Sequence, residues 1–334
     1  MIRMISRRTF GRKSMIASAG LAAAQQAFLL KAADPSEIPP DPARRKVCAF
    51  IKFIQDLEFD RLGAEMASIG LDGVEATIRP GGIITPDQVQ DKLPLLVDAL
   101  KKHGIEITIM ASHVNRADDP VMRQVLETAS NLGIRQYRMA YYRYDRDINV
   151  SKTLLESRAI LKDLAQLNAE LGIQALYQNH AGLRYVGASI WDIVSILEDI
   201  DPAQVALAFD IRHATVEGGF SWPVDWKHAL PHVRAAYLKD FEWNDGKVRN
   251  VPLGTGMVQM TEFLRLLKTD TPVSVPISLH IEYLDHEGTD PNLTLNKGQT
   301  LNKGQTLNKG QTLNKGQTLN KGQTLNKGQT LNKG

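Results

Sequence analysis

A single cysteine, Cys48, stands in 334 residues, so no disulfide can form within the chain and no cysteine-built zinc cage is available. It falls in the apolar run 47–54, where a free thiol behaves as a small buried hydrophobe. No apolar stretch outside the N-terminus reaches the roughly 18–20 residues that a membrane span needs. No Gly-x-Gly-x-x-Gly follows the first predicted strand, which argues against a dinucleotide-binding open sheet. Acids are missing from both ends. Residues 1–33 carry six basic groups and residues 295–334 carry seven lysines, with no Asp or Glu in either. The formal charge of +3 therefore leaves a body, residues 34–294, at −10. Such a body would repel DNA or RNA, whose binding needs clustered Lys and Arg. The remaining balance, 43% hydrophobic and 23% charged, is that of an ordinary globular chain.

The two ends read as appendages. Ser6-Arg7-Arg8-Thr9-Phe10 followed by a small-residue apolar stretch, 14–30, resembles the twin-arginine export signal of bacteria. Residues 1–33 are accordingly expected to address the chain to the twin-arginine export machinery. The mature protein is then periplasmic or secreted, with no transmembrane anchor. Cleavage is compatible with Ala22-Ala23-Ala24 or with Ala32-Ala33. Residues 34–45, with four prolines, form a linker. From Leu295 the chain repeats Leu-Asn-Lys-Gly-Gln-Thr. One leucine in six residues fits neither a helix face nor an alternating strand, and buries little against the cost of ordering a glycine-containing repeat. Residues 291–334 are expected to be a disordered tail, with a hexapeptide β-solenoid as the alternative.

Between the ends, eight short apolar runs alternate with helical patterns: 47–54, 73–78, 105–112, 135–140, 173–179, 205–210, 234–239 and 277–283. Gly70, Gly104, Gly133 and Gly172 each stand between the end of a helical pattern and the start of a strand, as helix terminators do. Repeated helix–Gly–strand units predict a parallel sheet, and eight strands over residues 46–290 predict an α/β chain folded as a (β/α)8 TIM barrel. A doubly wound sheet is the alternative. No regular eighth helix is legible after the last strand, where the repeat stands instead, so a partly uncovered seam is expected between the last and first units.

In such barrels the chemistry sits at the carboxyl ends of the strands. Those ends here carry Glu75, His113, Arg138, Gln178-Asn179-His180, Asp210 with Arg212 and His213, Lys239-Asp240, and His280 with Glu282. Period-two alternation puts Gln178 with His180, Tyr237 with Lys239, and His280 with Glu282 on common sides, which in a closed barrel can be the lumen. Converging His, Asp and Glu are what a divalent ion requires. Trp222, Trp226, Trp243, Tyr141, Tyr142 and Tyr144 fall in or beside the loops above these ends, where they can stack on sugar rings or simply pack.

These residues, over roughly 46–284, resemble the xylose isomerase-like barrel superfamily of sugar phosphate isomerases and epimerases. The carriers are Gly73-Val74-Glu75, Gln178-Asn179-His180, Phe209-Asp210-Ile211-Arg212-His213, Leu238-Lys239-Asp240, His280-Ile281-Glu282 and the glycine loop Val251-Pro252-Leu253-Gly254-Thr255-Gly256. The resemblance implies a divalent metal (Mn, Zn, Co or Mg) held by strand-five, strand-six and strand-eight side chains, which map to Gln178, Asp210 and Glu282. It implies Glu282, Lys239 and His180 as catalytic groups, and Glu75, His113, Asn179, Arg212, His213 and Tyr237 as substrate-binding groups. The family's strand-five Glu is Gln178 here, and its strand-seven His is Tyr237. An amide cannot act as a general base near neutrality, so two-base epimerisation is in doubt and a one-base proton abstraction beside a sugar carbonyl survives. A keto-sugar lyase would use the same equipment, and a carbohydrate-binding barrel that has lost its metal site is the non-catalytic alternative. The endonuclease branch of the superfamily needs a richer zinc-ligand set. The expected partner is a small carbohydrate, and a homo-oligomer is left open.

Overall fold

The computed structural model describes residues 44–145 and 149–285, with the short pairs 294–295 and 312–313. The expected export signal, most of the linker and nearly all of the repeat lie outside the described residues.

Eight parallel strands form the barrel: β1 (Val47–Phe50), β2 (Gly73–Ile78), β3 (Glu106–Ser112), β4 (Gln136–Arg138), β5 (Gln174–Gln178), β6 (Val205–Asp210), β7 (Val233–Leu238) and β10 (Ile277–Leu279). They close in the order β1-β10-β7-β6-β5-β4-β3-β2. Each coincides with one of the eight apolar runs. Cys48 pairs with both Gly73 and Ser278, which closes the ring between the first and last strands. Helices cross over between successive barrel strands: α1 (Phe59–Ser68), α2 (Val89–Lys101), α3 (Pro120–Asn131), α4 (Val150–Leu171), α5 (Ile190–Leu197), α6 (Ile211–Gly218), α7 (Trp222–Ala229) and α8 (Met260–Asp270). The helix-ending glycines behave as expected: Gly172 adopts φ +62 and lets Ile173 donate to the Asn168 carbonyl, and Gly70, Gly104 and Gly133 share the left-handed conformation.

Outward-facing strand residues such as Val74, Ala76, Ile78 and Phe209 pack on the helices in one core, to which Trp222 and Trp226 contribute fully buried indoles. Each such large apolar side chain contributes about 1.5–3 kcal/mol on burial. A second, smaller cluster fills the barrel itself: Cys48, Ile109, Leu176, Ala206, Ala208, Ala235 and Tyr237. Three alanines make room for one tyrosine, and together they floor the lumen beneath the strand ends. Burial in this layer raises the Cys48 thiol far above its usual pKa, with Glu75 adding to the effect, so it is an inert core thiol.

Three elements were not expected from the sequence. Helices α6 and α7 share the crossover between β6 and β7, and an antiparallel hairpin, β8 (Asp240–Asn244) with β9 (Lys247–Val251), rises directly from β7. Its turn puts Asp245 at φ +49 and Gly246 at φ +71, the backbone twist that matches paired strands and that Asp-Gly favours. After β10 the described residues contain one 3-10 turn, Tyr283–Asp285, and no α-helix. Thr294–Leu295 and Thr312–Leu313 pair in parallel, three hexapeptide copies apart. Among the described residues no helix is long and apolar enough to cross a membrane. A recess of about 1110 Å³ opens at the amino-terminal end of the barrel, lined by Lys46, Glu106, Arg135, Gln136 and Gln174, and none of the candidate site residues lines it.

Candidate active site

The middle of β2 and the carboxyl ends of β4, β5, β6, β7 and β10 converge on one buried polar cluster, which divides into two halves. In the first half, Glu75 from β2 is fully buried and meets Arg138 Nε from β4 at 2.7 Å, His280 Nε2 at 3.0 Å and the Ser278 hydroxyl at 2.6 Å. Burial would raise the Glu75 carboxyl, but Arg138, His280 and Ser278 outweigh it and hold it at about 2. Arg138 lies over the Phe50 ring, and His280 stacks on Phe50 and Tyr237. Glu75 was expected to bind substrate; the structure instead commits it to protein partners inside the barrel wall.

In the second half, Lys239 Nζ stands 3.3 Å from Asp210 Oδ2 and 3.0 Å from Glu282 Oε2. Asp210 is fully buried, whereas the Glu282 side chain is 25% exposed. Burial would raise the Glu282 carboxyl as well, but Lys239 and then His280 hold it below the usual carboxylate range. Lys239 is thus a cation clamped by two carboxylates, and this geometry does not offer it as a base. Gln178 joins the halves. Its Oε1 accepts from Arg138 Nη1 at 2.7 Å and from the Tyr141 hydroxyl at 2.5 Å, while its Nε2 donates to Asp210 Oδ2 at 2.7 Å.

Two histidines close the β5–β6 side. His180 donates from Nδ1 to the Ala181 carbonyl at 2.8 Å and packs against Tyr141, Tyr185 and His213. Burial, followed by the charge of Lys239, lowers its pKa to about 4, so the ring is neutral near neutrality. His213 accepts at Nδ1 from the Ala181 amide at 3.1 Å and from Arg212 Nη1 at 2.8 Å. Burial, with Lys239 and His180 adding, lowers it strongly, so it is neutral with its proton on Nε2. That Nε2–H is a buried donor without a partner, 3.7 Å from Asp210 Oδ2. Arg212 also donates to Asn250 on β9, which ties the hairpin to the site.

Other expected site residues have different work. Asn179 exchanges hydrogen bonds with the Asp210 backbone and sews β5 to β6, so its amide is not left for a substrate. Tyr237 lies in the lumen floor with an unpartnered hydroxyl beneath Arg138. His113 makes no hydrogen bond, ion pair or ring contact with the cluster; the charged neighbour acting on it is Asp119. It is a loop histidine beside α3, not part of the ring. Trp222 and Trp226 are core residues, and only Tyr141 of the named aromatics reaches the cluster. The glycine loop has a clear cause. The Asp240 carboxylate accepts from the amides of Phe241, Gly254, Gly256 and Val258, and a Cβ on Gly256 would sit 2.3 Å from the Phe241 carbonyl.

The three expected metal ligands do not present a common donor set. Gln178 turns its NH2, not its oxygen, toward Asp210. Lys239 holds the space between Asp210 and Glu282. The His213 lone pair is used by two N–H donors. Among the described residues no group of three His, Cys, Asp or Glu side chains could hold a metal. The arrangement as it stands does not fit a divalent ion.

Residues 64–298 match the family model of the xylose isomerase-like TIM barrel. The chain belongs to this family. Comparison with curated protein sequences gives no match. Solved structures share the fold. The IOLI protein with a bound zinc atom is 17% identical, with 72% of this chain and 91% of that one covered, at a TM-score of 0.59. The 3-keto-D-glucoside 4-epimerase YcjR from E. coli is 12% identical, with 71% and 91% covered, at 0.55. A xylose isomerase-like barrel protein from Mycobacterium smegmatis in complex with magnesium is 12% identical, with 71% and 89% covered, at 0.54. At these identities the likeness is one of fold, and chemistry has to be argued from the site.

Proposed function

We propose that the protein is a sugar isomerase/epimerase-type enzyme that removes a proton beside a sugar carbonyl, with Glu282 as the base and the Lys239 ammonium as the charge that steadies the enediolate. One observation carries this reading: Lys239 Nζ bridges Asp210 and Glu282, so a fixed cation already stands beside the one carboxylate of the ring that is open to solvent. A base must be ionised and reachable, and Glu282 is both. As the C–H proton moves to a Glu282 oxygen, negative charge grows on the carbonyl oxygen. The ammonium of Lys239 and the unpartnered Nε2–H of His213 are the donors placed to meet it. The hydroxyl proton of the neighbouring carbon then passes to the former carbonyl oxygen, and delivery of the abstracted proton from Glu282 to the former carbonyl carbon completes an isomerisation with the new carbonyl on the neighbouring carbon. A second base on the opposite face would be needed for two-base epimerisation, and Gln178 cannot serve as one. The divalent metal implied by the family has no step in this scheme, because the donors do not fit it.

The export signal, if used, places this chemistry in the periplasm, where free sugars and keto-sugars are more available than phosphorylated ones. One observation favours a binding-only barrel as the second reading: Glu282 is held so firmly by Lys239 that it is a weak base until a substrate loosens the pair. Solvent-deuterium exchange decides between the two. In D2O, wild-type protein should introduce deuterium beside the carbonyl of an aldose, ketose or keto-sugar, and Glu282→Gln should not. Binding of sugars without any exchange would overturn the enzymatic reading.

A further inference from the structure

The cations of the site are engaged, with one exception. Arg138 is paired with Glu75, Lys239 with Asp210 and Glu282, and Arg212 donates to His213 and Asn250. Arg79, which follows β2, has a half-buried guanidinium with no hydrogen bond or ion pair among the described residues. It lies over the Phe50 ring at 5.5 Å and within electrostatic reach of Glu75, Arg138, Tyr141 and Glu282. It therefore stands at the edge of the cluster, beside the Phe50 ring that also carries Arg138, with Glu282 still within its electrostatic reach. Burial lowers its pKa, the sign of a charge that has lost water without gaining a partner.

The position is built. The Arg79 amide donates to the Ile84 carbonyl at 3.0 Å, and its own carbonyl accepts from Gly82 at 2.8 Å. Thr77 Oγ1 accepts from the Ile83 amide and donates to Gln55, which in turn donates to the Gly81 carbonyl. A side chain on Gly82 would meet the Thr77 carbonyl at 2.3 Å. A tightly bonded loop thus holds a free planar fork of five N–H donors at the mouth. That fork matches a carboxylate bidentately, and a hydroxyl cannot use its second arm or its charge. The carboxylates in reach cannot supply the match, since Glu75 and Glu282 are committed to Arg138 and Lys239.

We propose that Arg79 is the specificity-determining residue of the site, and that the sugar it selects carries a carboxylate: a uronate or keto-acid sugar whose acid group docks on Arg79 while its carbonyl end lies toward Lys239 and Glu282. The substrate class rests on Arg79 alone, and the reaction of the docked sugar rests on the enolisation by Glu282 and Lys239.

The test uses the full chain with D-glucuronate and D-galacturonate beside D-glucose and D-galactose, read by calorimetric binding and by deuterium exchange in D2O. Wild-type protein should favour the acid sugars by about 10- to 100-fold, the range of a charge-assisted bidentate contact. Arg79→Met should bring that preference near one, by raising KM more than it lowers kcat, with Arg79→Lys intermediate and the melting profile unchanged. Equal or better use of the neutral sugars by wild type, or a preference that survives Arg79→Met, would overturn the assignment. The two proposals fail separately. Acid-sugar binding that depends on Arg79 without deuterium exchange contradicts the enolisation and keeps the carboxylate site. Exchange into neutral sugars without preference keeps the enolisation and contradicts the carboxylate site.

Discussion

The same pairing, a carboxylate and a cation within one polar cluster, occurs twice in this barrel with opposite character. Glu75 and Arg138 are sealed, 0% and 8% exposed at their side chains; Ser278 and His280 hold Glu75 Oε2 and Gln178 holds Arg138 Nη1, while Arg138 Nη2 is buried without a hydrogen-bond partner. Asp210, Lys239 and Glu282 begin from a buried carboxylate but end at one that is 25% exposed. A buried ion pair adds little net stability over an apolar one, yet losing one partner is costly. The sealed half therefore acts as a brace that fixes the wall, and the open half is where a substrate can exchange places with a protein contact. In the proposed reading, chemistry follows exposure more than residue type.

Breaking the brace should have the largest effect on stability. Arg138→Met leaves Glu75 charged and buried without its main partner, and about 3–5 kcal/mol should be lost in denaturant unfolding. The Arg138→Met, Glu75→Gln double variant should recover part of that loss, because no uncompensated charge remains.

On the open half the loss should appear in rate. Glu282→Gln keeps the shape and should reduce deuterium exchange by about 10²–10⁴-fold, with unfolding little changed. A large stability loss with retained exchange would reverse the roles assigned to the halves.

Acid separates the halves further. His180 is neutral in the folded protein, with a pKa lowered by burial and Lys239 from 6.5 to about 4. The unfolded chain takes up that proton first, so the stability tied to it is full above pH 6.5 and drains as pH falls toward 4. Glu75, lowered from 4.5 to about 2, contributes above pH 4.5 and its share drains between 4.5 and 2. A pH series of melts should show both limbs, and His180→Asn should make only the upper one shallower, because His213 is also held neutral by burial and contributes to it.

The smallest change sharpens the comparison at its join. Tyr141→Phe removes one of two donors to Gln178 Oε1. Arg138 still holds that oxygen, so kcat/KM should fall only a few-fold, by about 1 kcal/mol.

The barrel was legible because its signal is repeated: eight apolar runs and four helix-ending glycines each point to the same unit. The hairpin was also written in the chain, as Asn244-Asp245-Gly246-Lys247 between strand-like residues, but the strand pattern 234–239 and the glycine loop at 251–256 leave the residues between them unassigned. At the site, period-two alternation paired Gln178 with His180, Tyr237 with Lys239 and His280 with Glu282, and the structure gathers Gln178, Lys239, His280 and Glu282 in one cluster while Tyr237 lies in the floor beneath it. What the alternation could not carry was direction and occupancy. The sequence placed Arg138 among the strand-end groups, on a run read as 135–140, but nothing in Gln-Tyr-Arg says that its guanidinium claims Glu75. The turning of the Gln178 oxygen away from Asp210 depends on Arg138 and Tyr141 together, and the filling of the metal position depends on the length of Lys239. Arg79 carried no signal in the sequence, because it stands one residue beyond the apolar run 73–78 and belongs to none of the motifs. His113 was included on its strand-end position alone, and the loop carries it away from the ring.

The central claim is that the Lys239 ammonium supplies the positive charge that works beside Glu282. It is tested most directly by deuterium exchange into sugars and sugar acids by exhaustively chelated protein, wild type beside Lys239→Met. Exchange that persists through chelation and disappears in Lys239→Met is the expected result. Exchange that is lost on chelation, restored by manganese, zinc, cobalt or magnesium, and retained in Lys239→Met would contradict the account.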